Sequence, residues 1–207
     1  MDKAIIYGDG THMPTGFVSS LAMTKDPKDS SKTWKSLVTT NTGKINSASV
    51  HGVDLFKGMA KAVGSVQRRT ARGGMTYIMN ETTWNSILFP ETMAFNAAAA
   101  IVAAANNTMP GLGGSMIFLD FIPDGDVVGG YLENYLLVER AGIQMAMSEH
   151  YFFLDDNTVF KATARYDGTP IPPFRDSFFA LNLKNAAPAL TATFAPDKAN
   201  RPGIEED

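Results

Sequence analysis

The stretch Gly129-Gly130-Tyr131-Leu132-Glu133-Asn134-Tyr135-Leu136-Leu137-Val138-Glu139-Arg140 opens the part of the chain that decides the fold. From Val127 to Leu183, one strand-like segment follows another, with a polar turn at Asp155-Asp156-Asn157. Long strands with large side chains on both faces suit a protein that buries surface against other copies of itself. The pattern therefore predicts assembly rather than catalysis.

Helical patterns precede these strands. Apolar residues at helical spacing predict a first helix over 54–72, ended by Gly73-Gly74. A short strand over 75–79 leads to Asn80, which is expected to cap a second helix over 81–88 that ends before Pro90. A third helix is predicted over 92–105 and a strand over 115–119. Helices and strands in this order indicate an α+β fold.

Composition limits the possible functions. The chain has 207 residues, a net charge of −3 and no cysteine, which excludes disulfides, thiolate metal sites and a cysteine nucleophile. Neutralising many phosphates requires clustered Lys and Arg. The basic cluster of Arg68, Arg69 and Arg72 is interpreted instead as the end of the first helix.

No group of residues predicts an active site, a cofactor site or a metal site. Gly8-Asp9-Gly10-Thr11 lacks the lysine and the spacing of a phosphate-binding loop and is interpreted as a structural turn. Glu149 and His150 are adjacent in a strand and point to opposite faces, and Ser148 lacks nucleophile-elbow glycines. The histidines lack the spacing of zinc ligands; they are His12, His51 and His150. Four aspartates are interpreted as solvated turn carboxylates rather than calcium ligands; they are Asp124, Asp126, Asp155 and Asp156.

The aromatic side chains of the last third are interpreted mainly as core. A run of consecutive aromatics in a strand must show at least one ring on the opposite face, where a helix or a neighbouring subunit would cover it. The residues concerned are Tyr151, Phe152, Phe153, Phe160, Phe178 and Phe179.

Several segments bear on location and boundaries. The most apolar segment, 94–105, is too short to span a bilayer, and 1–7 carries no secretory signal, so a soluble chain made in the cytoplasm is expected. The abrupt start at Ala4-Ile5-Ile6-Tyr7 suggests that more chain belongs before Met1. Residues 19–50 are predicted to be a long polar loop with one short strand near 34–38. Residues 184–207 are predicted to be a C-terminal tail.

Five segments in order make the chain resemble the major capsid proteins of tailed bacteriophages, the Hong Kong 97 type fold. Each motif is weak alone, and their order across residues 4–183 is specific. The segments are Ile5-Ile6-Tyr7-Gly8-Asp9-Gly10-Thr11 with Pro14-Thr15-Gly16; Tyr77-Ile78-Met79-Asn80 with Thr83-Trp84; Gly114-Ser115-Met116-Ile117-Phe118 with Pro123-Asp124-Gly125; Val128-Gly129-Gly130-Tyr131 through Glu139-Arg140; and Phe153 through Gly168 with Phe178-Phe179-Ala180-Leu181.

The resemblance implies a domain plan. Residues 1–18 are expected to lead in from the peripheral domain, and 19–150 to form the axial domain with a polar insertion at 19–50. Residues 151–183 are expected to be peripheral-domain strands, followed by the tail 184–207. The family's N-terminal arm, extended loop and spine helix precede the position of Ile5 and have no counterpart in this sequence.

The resemblance also implies a structural role without enzymatic activity. Copies would form hexamers and pentamers of an icosahedral shell around double-stranded DNA, in the virion and, during assembly, in the host cytoplasm. Portal and decoration or scaffold proteins are the expected partners, with loose, sequence-independent DNA contact and no membrane contact. The loops 33–44 and 108–114 are expected near the ring axis, so charge reversal at Lys35 or Lys44 would impair ring assembly.

Two alternatives remain open at this point. An encapsulin-like nanocompartment of the same fold would enclose protein rather than DNA. A small hydrolase or ligand-binding domain would stay monomeric and show a concave site. Some relatives join subunits through a Lys–Asn bond, but the lysine-bearing loop is absent and Asn157 is not in register, so no cross-link is predicted.

Overall fold

A computed structural model describes residues 1–19, 38–39, 45–152, 157–171 and 177–194. Within these ranges the chain forms a mixed sheet with helices and a separate two-stranded ribbon. The strands are β1 (Val38–Thr39), β2 (Thr76–Met79), β3 (Ser115–Phe118), β4 (Asp126–Gly130), β5 (Tyr135–Phe152), β6 (Asn157–Pro170) and β7 (Phe178–Asn182).

The five-stranded sheet has the order β1-β7-β4-β2-β3. Its three central strands run antiparallel, since β4 pairs with both β2 and β7 in that sense. The two outer pairs, β1 with β7 and β2 with β3, are parallel. Mixed parallel and antiparallel pairing, with no repeating βαβ unit in the described ranges, confirms the predicted α+β class.

The helices lie mainly between β1 and β3 in the sequence. They are α1 (Asp2–Tyr7), α2 (Gly52–Val63), α3 (Glu81–Thr83), α4 (Phe89–Phe95) and α5 (Ala97–Asn106). A π-helical turn, Trp84–Leu88, joins α3 to α4, and a 3-10 turn, Leu132–Asn134, precedes β5. None of the helices among the described residues has the length and apolar character needed to cross a membrane.

Both faces of the sheet are buried by the chain itself. Alternate residues of β2, β4 and β7 enter two separate cores, as the period of two in a strand requires. One core holds Tyr77, Met79, Val127, Phe179 and Leu181 with residues of α2 and the π-helical turn. The other holds Ile6, Phe17, Ile78, Val128, Phe178 and Ala180.

The ribbon is a long antiparallel pair formed by β5 and β6. Its base is tied to the amino-terminal turn, since Thr15 N donates to Gly168 O over 2.7 Å and the Tyr135 hydroxyl donates to Thr15 O over 3.0 Å. Register shifts near Ala141 and between Ser148 and Phe152 mark irregularities along it. The predicted succession of strands over 127–183 is confirmed for the described residues.

Three helix boundaries differ from the predicted ones. The first helix ends at Val63, and Gly64 rather than Gly73 follows its last turn. Pro90 lies in the first turn of α4, where its missing N–H is tolerated, so the helical path continues through it. Asn96 is extended and its side chain accepts from Ala99 N, so it caps α5 and divides the predicted third helix.

The strand pairing also bears on the expected domain plan. The expected boundary between residues 150 and 151 falls inside β5. Strand β7, expected among the peripheral strands, pairs with β4 in the five-stranded sheet. The sheet with its helices and the β5–β6 ribbon are the two units that the hydrogen bonding distinguishes.

Candidate functional site

The glycine-containing turn at 8–11 is held by local hydrogen bonds. Asp9 Oδ1 accepts from Thr11 N over 2.8 Å, and Gly16 N donates to Gly8 O over 2.8 Å. The Ser19 hydroxyl donates to Gly8 O as well. A Cβ at Gly8 would lie 2.0 Å from Pro14 O, so this close approach of two backbone segments requires glycine. These contacts join the turn to the segment that follows it, at Pro14, Gly16 and Ser19.

Asp126 is buried, which corrects its interpretation as a solvated turn carboxylate. Its Oδ1 accepts from Asn182 Nδ2 over 2.6 Å and its Oδ2 from Ala189 N over 2.9 Å. Burial raises the pKa of Asp126, against the lowering effect of these two bonds and of Lys184. The carboxylate therefore joins β4 to β7 and to the segment after it, while Asp124 is exposed.

Of the remaining candidates, the structure describes the side chains of His12, His51 and Asp124. Among the described residues, no three His, Cys, Asp or Glu side chains are grouped to hold a metal ion. His51 Nδ1 lies 2.7 Å from Glu91 Oε1, and Gly52 N donates to Glu91 Oε2 over 2.6 Å. For several other residues named in the sequence analysis, the side chain lies outside the part of the chain that the structure describes. These residues are Lys35, Lys44, Ser148, Glu149, His150, Tyr151, Phe152, Phe153, Asp155, Asp156 and Asn157.

The basic cluster stabilises a loop rather than a helix end, because α2 stops at Val63. Arg68 donates to the carbonyl oxygens of Ala71, Arg72 and Gly73 at 3.0, 2.6 and 3.0 Å. Glu133 accepts from Arg72 N and Gly73 N, both at 2.7 Å, and these bonds lower the pKa of its carboxyl. The loop is thus held to the base of the ribbon.

A buried polar network completes this junction, and sequence reasoning missed it. Asn134 Nδ2 donates to Ser177 Oγ over 2.9 Å, and Ser177 Oγ donates to Gln67 O over 2.7 Å. Thr70 Oγ1 donates to Asn134 Oδ1 over 3.1 Å. The hydrogen-bonded residues of this network are far apart in sequence, so no local sequence pattern predicts their contact.

A cleft of about 410 Å³ lies between the end of α2 and the loop before β3. Its lining combines apolar side chains with glycine backbone, Arg68 and two tyrosines, and the described residues that form it include no carboxylate, imidazole, serine or threonine. Burial raises the pKa of Tyr77 in this lining to about 12, so its hydroxyl stays protonated at neutral pH. The Arg68 guanidinium is occupied by backbone carbonyls. Tyr77 and Tyr131 supply the hydroxyl groups of the described lining.

The β5–β6 ribbon carries the most exposed apolar surface. Met145 pairs with Ala162 and Met147 with Phe160, so these four side chains share one face. Met145 is 75% exposed and Phe160 is 68% exposed. The opposite face carries Gln144, Ala146 and Thr163. We name the first set, with Ile143, the apolar ribbon face.

An exposed apolar ribbon face is typical of an interaction surface. A two-stranded ribbon is marginal in water without a third layer, and a contiguous apolar face of this kind marks an interaction site. From the sequence, Phe178, Phe179 and Phe160 were alike interpreted mainly as core. The structure buries the first two in the chain's own cores and exposes only the last.

The sequence matches the phage capsid family over residues 1–179. The chain belongs to the phage capsid family. A search of curated protein sequences found no match. The family favours a structural protein over an enzyme, and it confirms the resemblance drawn from the five ordered segments.

Solved capsid structures share the fold. The chain is similar to the capsid of an empty GTA particle, with a TM-score of 0.57 and 21% identity over 87% of this chain and 60% of that one. The capsid of the native GTA particle gives a TM-score of 0.56 and 20% identity, over 87% and 59%. Both capsids were computed with C5 symmetry. This phage capsid protein thus spans about 60% of the length of the capsid chains it resembles.

Proposed function

We propose that this protein is the shell-forming subunit of a tailed, double-stranded DNA phage. Copies associate into hexamers and pentamers that tile an icosahedral head, in the virion and beforehand in the host cytoplasm. The subunit works as a structural protein and catalyses no reaction. Membership of the phage capsid family supports this proposal and favours it over the nanocompartment alternative.

The apolar ribbon face is the observation that carries the proposal. Ile143, Met145, Met147 and Phe160 are all more than half exposed, although each would be stabilised by burial. Heterologous contacts between such subunits close into rings, and a shell requires many modest interfaces rather than one deep pocket.

The strand pairing suggests a revised domain division. The sheet and its helices, including β7, form the axial unit, and the β5–β6 ribbon belongs to the peripheral unit. The Asn134–Ser177 network and the Glu133 bonds lie where the chain passes between them. This junction is rigid because its buried polar groups are paired on both sides.

Contacts with other virion components follow from charge. A net charge of −3 gives little attraction to duplex DNA, so contact with the packaged genome is loose and independent of sequence. Portal and decoration or scaffold proteins are the further partners. The loop 108–114, which carries positive-φ Gly111, Gly113 and Gly114, lies close to the ring axis.

Negative-stain electron microscopy with sedimentation velocity tests the proposal. The chain is measured alone and within its complete reading frame. We expect rings or shells at least in the second case, and shells recovered from cells to contain DNA. Protein cargo without DNA would indicate the nanocompartment alternative, and homogeneous monomers in both cases would contradict the proposal.

Matched substitutions on the ribbon sharpen the test. Met145→Glu places a charge on the apolar ribbon face, whereas Gln144→Glu places the same charge on the opposite face one residue away. We expect the first to reduce the assembled fraction at least about tenfold, because an unpaired charge opposes burial. The second is expected to leave assembly within about twofold, as for an exposed site.

A further inference from the structure

Helix α5 has an unusual distribution of side chains. Its inward residues are the smallest apolar ones: Ala100 and Ala103 are buried and Ala104 is partly buried. Its larger side chains point outward, with Ile101 60% exposed and Val102 58% exposed. A helix that packed only against its own domain would place the larger side chains inward.

The outward residues form one continuous stripe. Ala98, Ile101, Val102 and Ala105 are spaced at i, i+3, i+4 and i+7, which puts them on a single helix face. This spacing is the one by which helices pack together, and the flanking alanines permit close approach of a neighbour. We name these four residues the α5 stripe. Phe95, just before the helix, is also exposed.

The segment of chain that contains the stripe carries no charged residue. Residues 92–119 contain no Asp, Glu, Lys, Arg or His, although they include all of α5, the loop 108–114 and the edge strand β3. Solvent-facing helices normally carry charged residues on their outer face. A helix that is apolar on all sides is a buried helix, so a second layer must cover the stripe.

The chemistry of the stripe indicates that the covering layer is protein. A helix that lies on a membrane surface presents a charged or strongly polar face to the headgroups, and residues 97–105 of α5 are all Ala, Ile or Val. An uncharged stripe with small flanking residues fits an equally uncharged protein surface. The stripe and its surroundings are themselves such a surface, so a second copy of this chain can supply it.

We propose that the α5 stripe is an interface between neighbouring copies of this chain within a ring. This inference rests on the proposed capsid function, and it assigns one surface through which copies of the chain would contact each other. It concerns the sheet domain and is separate from the apolar ribbon face. A ring subunit makes two contacts of modest area, and the stripe with its uncharged surroundings supplies one side of such a contact.

Single-cysteine labelling tests this contact directly, because the chain has no cysteine of its own. Val102→Cys puts a unique thiol on the stripe, and Val53→Cys puts one on α2, where Val53 is 40% exposed. We expect maleimide to label the stripe thiol rapidly in the unassembled chain and at least about tenfold more slowly in assembled rings, because contact removes access. The thiol on α2 is the control, and its labelling rate is expected to change less than about twofold.

A matched charge substitution gives the second readout. Val102→Glu is expected to reduce the assembled fraction at least about tenfold, and Val53→Glu to leave it nearly unchanged. Circular dichroism and thermal unfolding verify that both variants fold, which their exposure in the unassembled chain permits.

The outcomes separate the two proposals. A wild-type chain that stays monomeric in its complete reading frame overturns the capsid function, and this inference with it. A wild type that assembles, while Val102→Glu assembles equally and the thiol of Val102→Cys stays fully reactive, overturns only the role of the stripe. Protection of that thiol already in the unassembled chain would assign the covering to the chain's own residues and also overturn it.

Discussion

The hydroxyl groups of Tyr7 and Tyr135 lie in contrasting environments. Tyr7 is buried, and its hydroxyl has no hydrogen-bond partner within the described parts of the chain. Burial, with a smaller effect of Asp126, raises its pKa. The Tyr135 hydroxyl is also in a buried environment that raises its pKa, but it donates to Thr15 O over 3.0 Å. Burying an unpaired hydroxyl is unfavourable, whereas a paired one contributes to stability.

Tyr7→Phe is therefore expected to stabilise the fold. Removing an unpaired buried hydroxyl should raise the free energy of unfolding by about 1 kcal/mol in urea titrations. Tyr135→Phe is the matched control and should lower it by about 1 kcal/mol, since it deletes a hydrogen bond to Thr15. Equal losses from both variants would show that Tyr7 has a partner after all.

Gly130 illustrates how close packing fixes a residue type. A Cβ there would lie 2.2 Å from Ser177 O and 2.7 Å from Phe178 Cα, and its φ is +142°. Both contacts are with backbone at the start of β7, which cannot move without breaking the pairing of β4 and β7. Gly130 thus marks a close approach of β4 to the start of β7, and Gly129 marks one to β2, where a Cβ would lie 2.0 Å from Thr76 O.

Gly130→Ala is expected to destabilise the sheet by about 3 kcal/mol or more, because it combines overpacking with an unfavourable φ. Gly142→Ala is the control, since a Cβ there meets only Glu139 Oε1 at 3.6 Å. It should change the unfolding free energy by less than about 1 kcal/mol. Thermal unfolding of the two variants provides the comparison, and a similar effect at both positions would refute the packing argument.

At the scale of elements, Glu91 connects two helices. It lies in the first turn of α4, and its carboxylate accepts from Gly52 N at the beginning of α2 and contacts His51. The bond from Gly52, followed by the His51 contact, lowers the pKa of Glu91 despite some desolvation. The carboxylate thus satisfies a free N–H at a helix N-terminus, as a capping residue does.

Glu91→Gln should lower the unfolding free energy by about 1 kcal/mol at pH 7. Because the pKa is lower in the folded chain, this stabilisation is complete above the unfolded pKa and is lost as pH falls through the folded pKa. The difference between variant and wild type should therefore shrink in acid. Asp54→Asn removes a charge from the first turn of α2, where Lys57 is its ion-pair partner, and should cost about 0.5 kcal/mol or less.

The ribbon and the sheet should also differ in stability as elements. Strand β4 is buried along its length, while residues 142–147 of β5 are exposed. We expect amide hydrogen exchange in the unassembled chain to be at least about a hundredfold faster over 142–147 than over 127–130. Assembly should slow the ribbon amides selectively. Equal protection in the unassembled chain would show that the ribbon is stable without a further layer.

At the scale of the whole molecule, two exposed apolar surfaces are prominent among the described residues. The central strands β2, β4 and β7 are covered on both faces by the chain's own residues, so these strands offer little surface for contacts between copies. The apolar ribbon face and the α5 stripe remain, on separate elements. A subunit with two such surfaces can contact more than one neighbour, which a closed shell requires.

The sequence alone determined the class and the order of elements. Short apolar runs between turn residues identified β2 and β3, and Asn80 with its flanking residues located the start of α3, because capping and alternation are local effects. The single strand expected over 129–140 is divided by the 3-10 turn Leu132–Asn134 into the end of β4 and the start of β5. Ordered motifs along the chain then indicated the capsid family, and the family match confirmed it. The absence of cysteine and the slightly negative net charge likewise follow from composition.

Only the tertiary structure decided which apolar residues are covered. Phe178, Phe179 and Phe160 look alike in the sequence, but β7 lies inside the five-stranded sheet and β6 lies in the ribbon. In the sequence Asp126 resembles a solvated turn residue. In the structure its carboxylate accepts hydrogen bonds from Asn182 and Ala189, which are distant in sequence. Such contacts depend on long-range strand pairing, which local periodicity and capping do not encode.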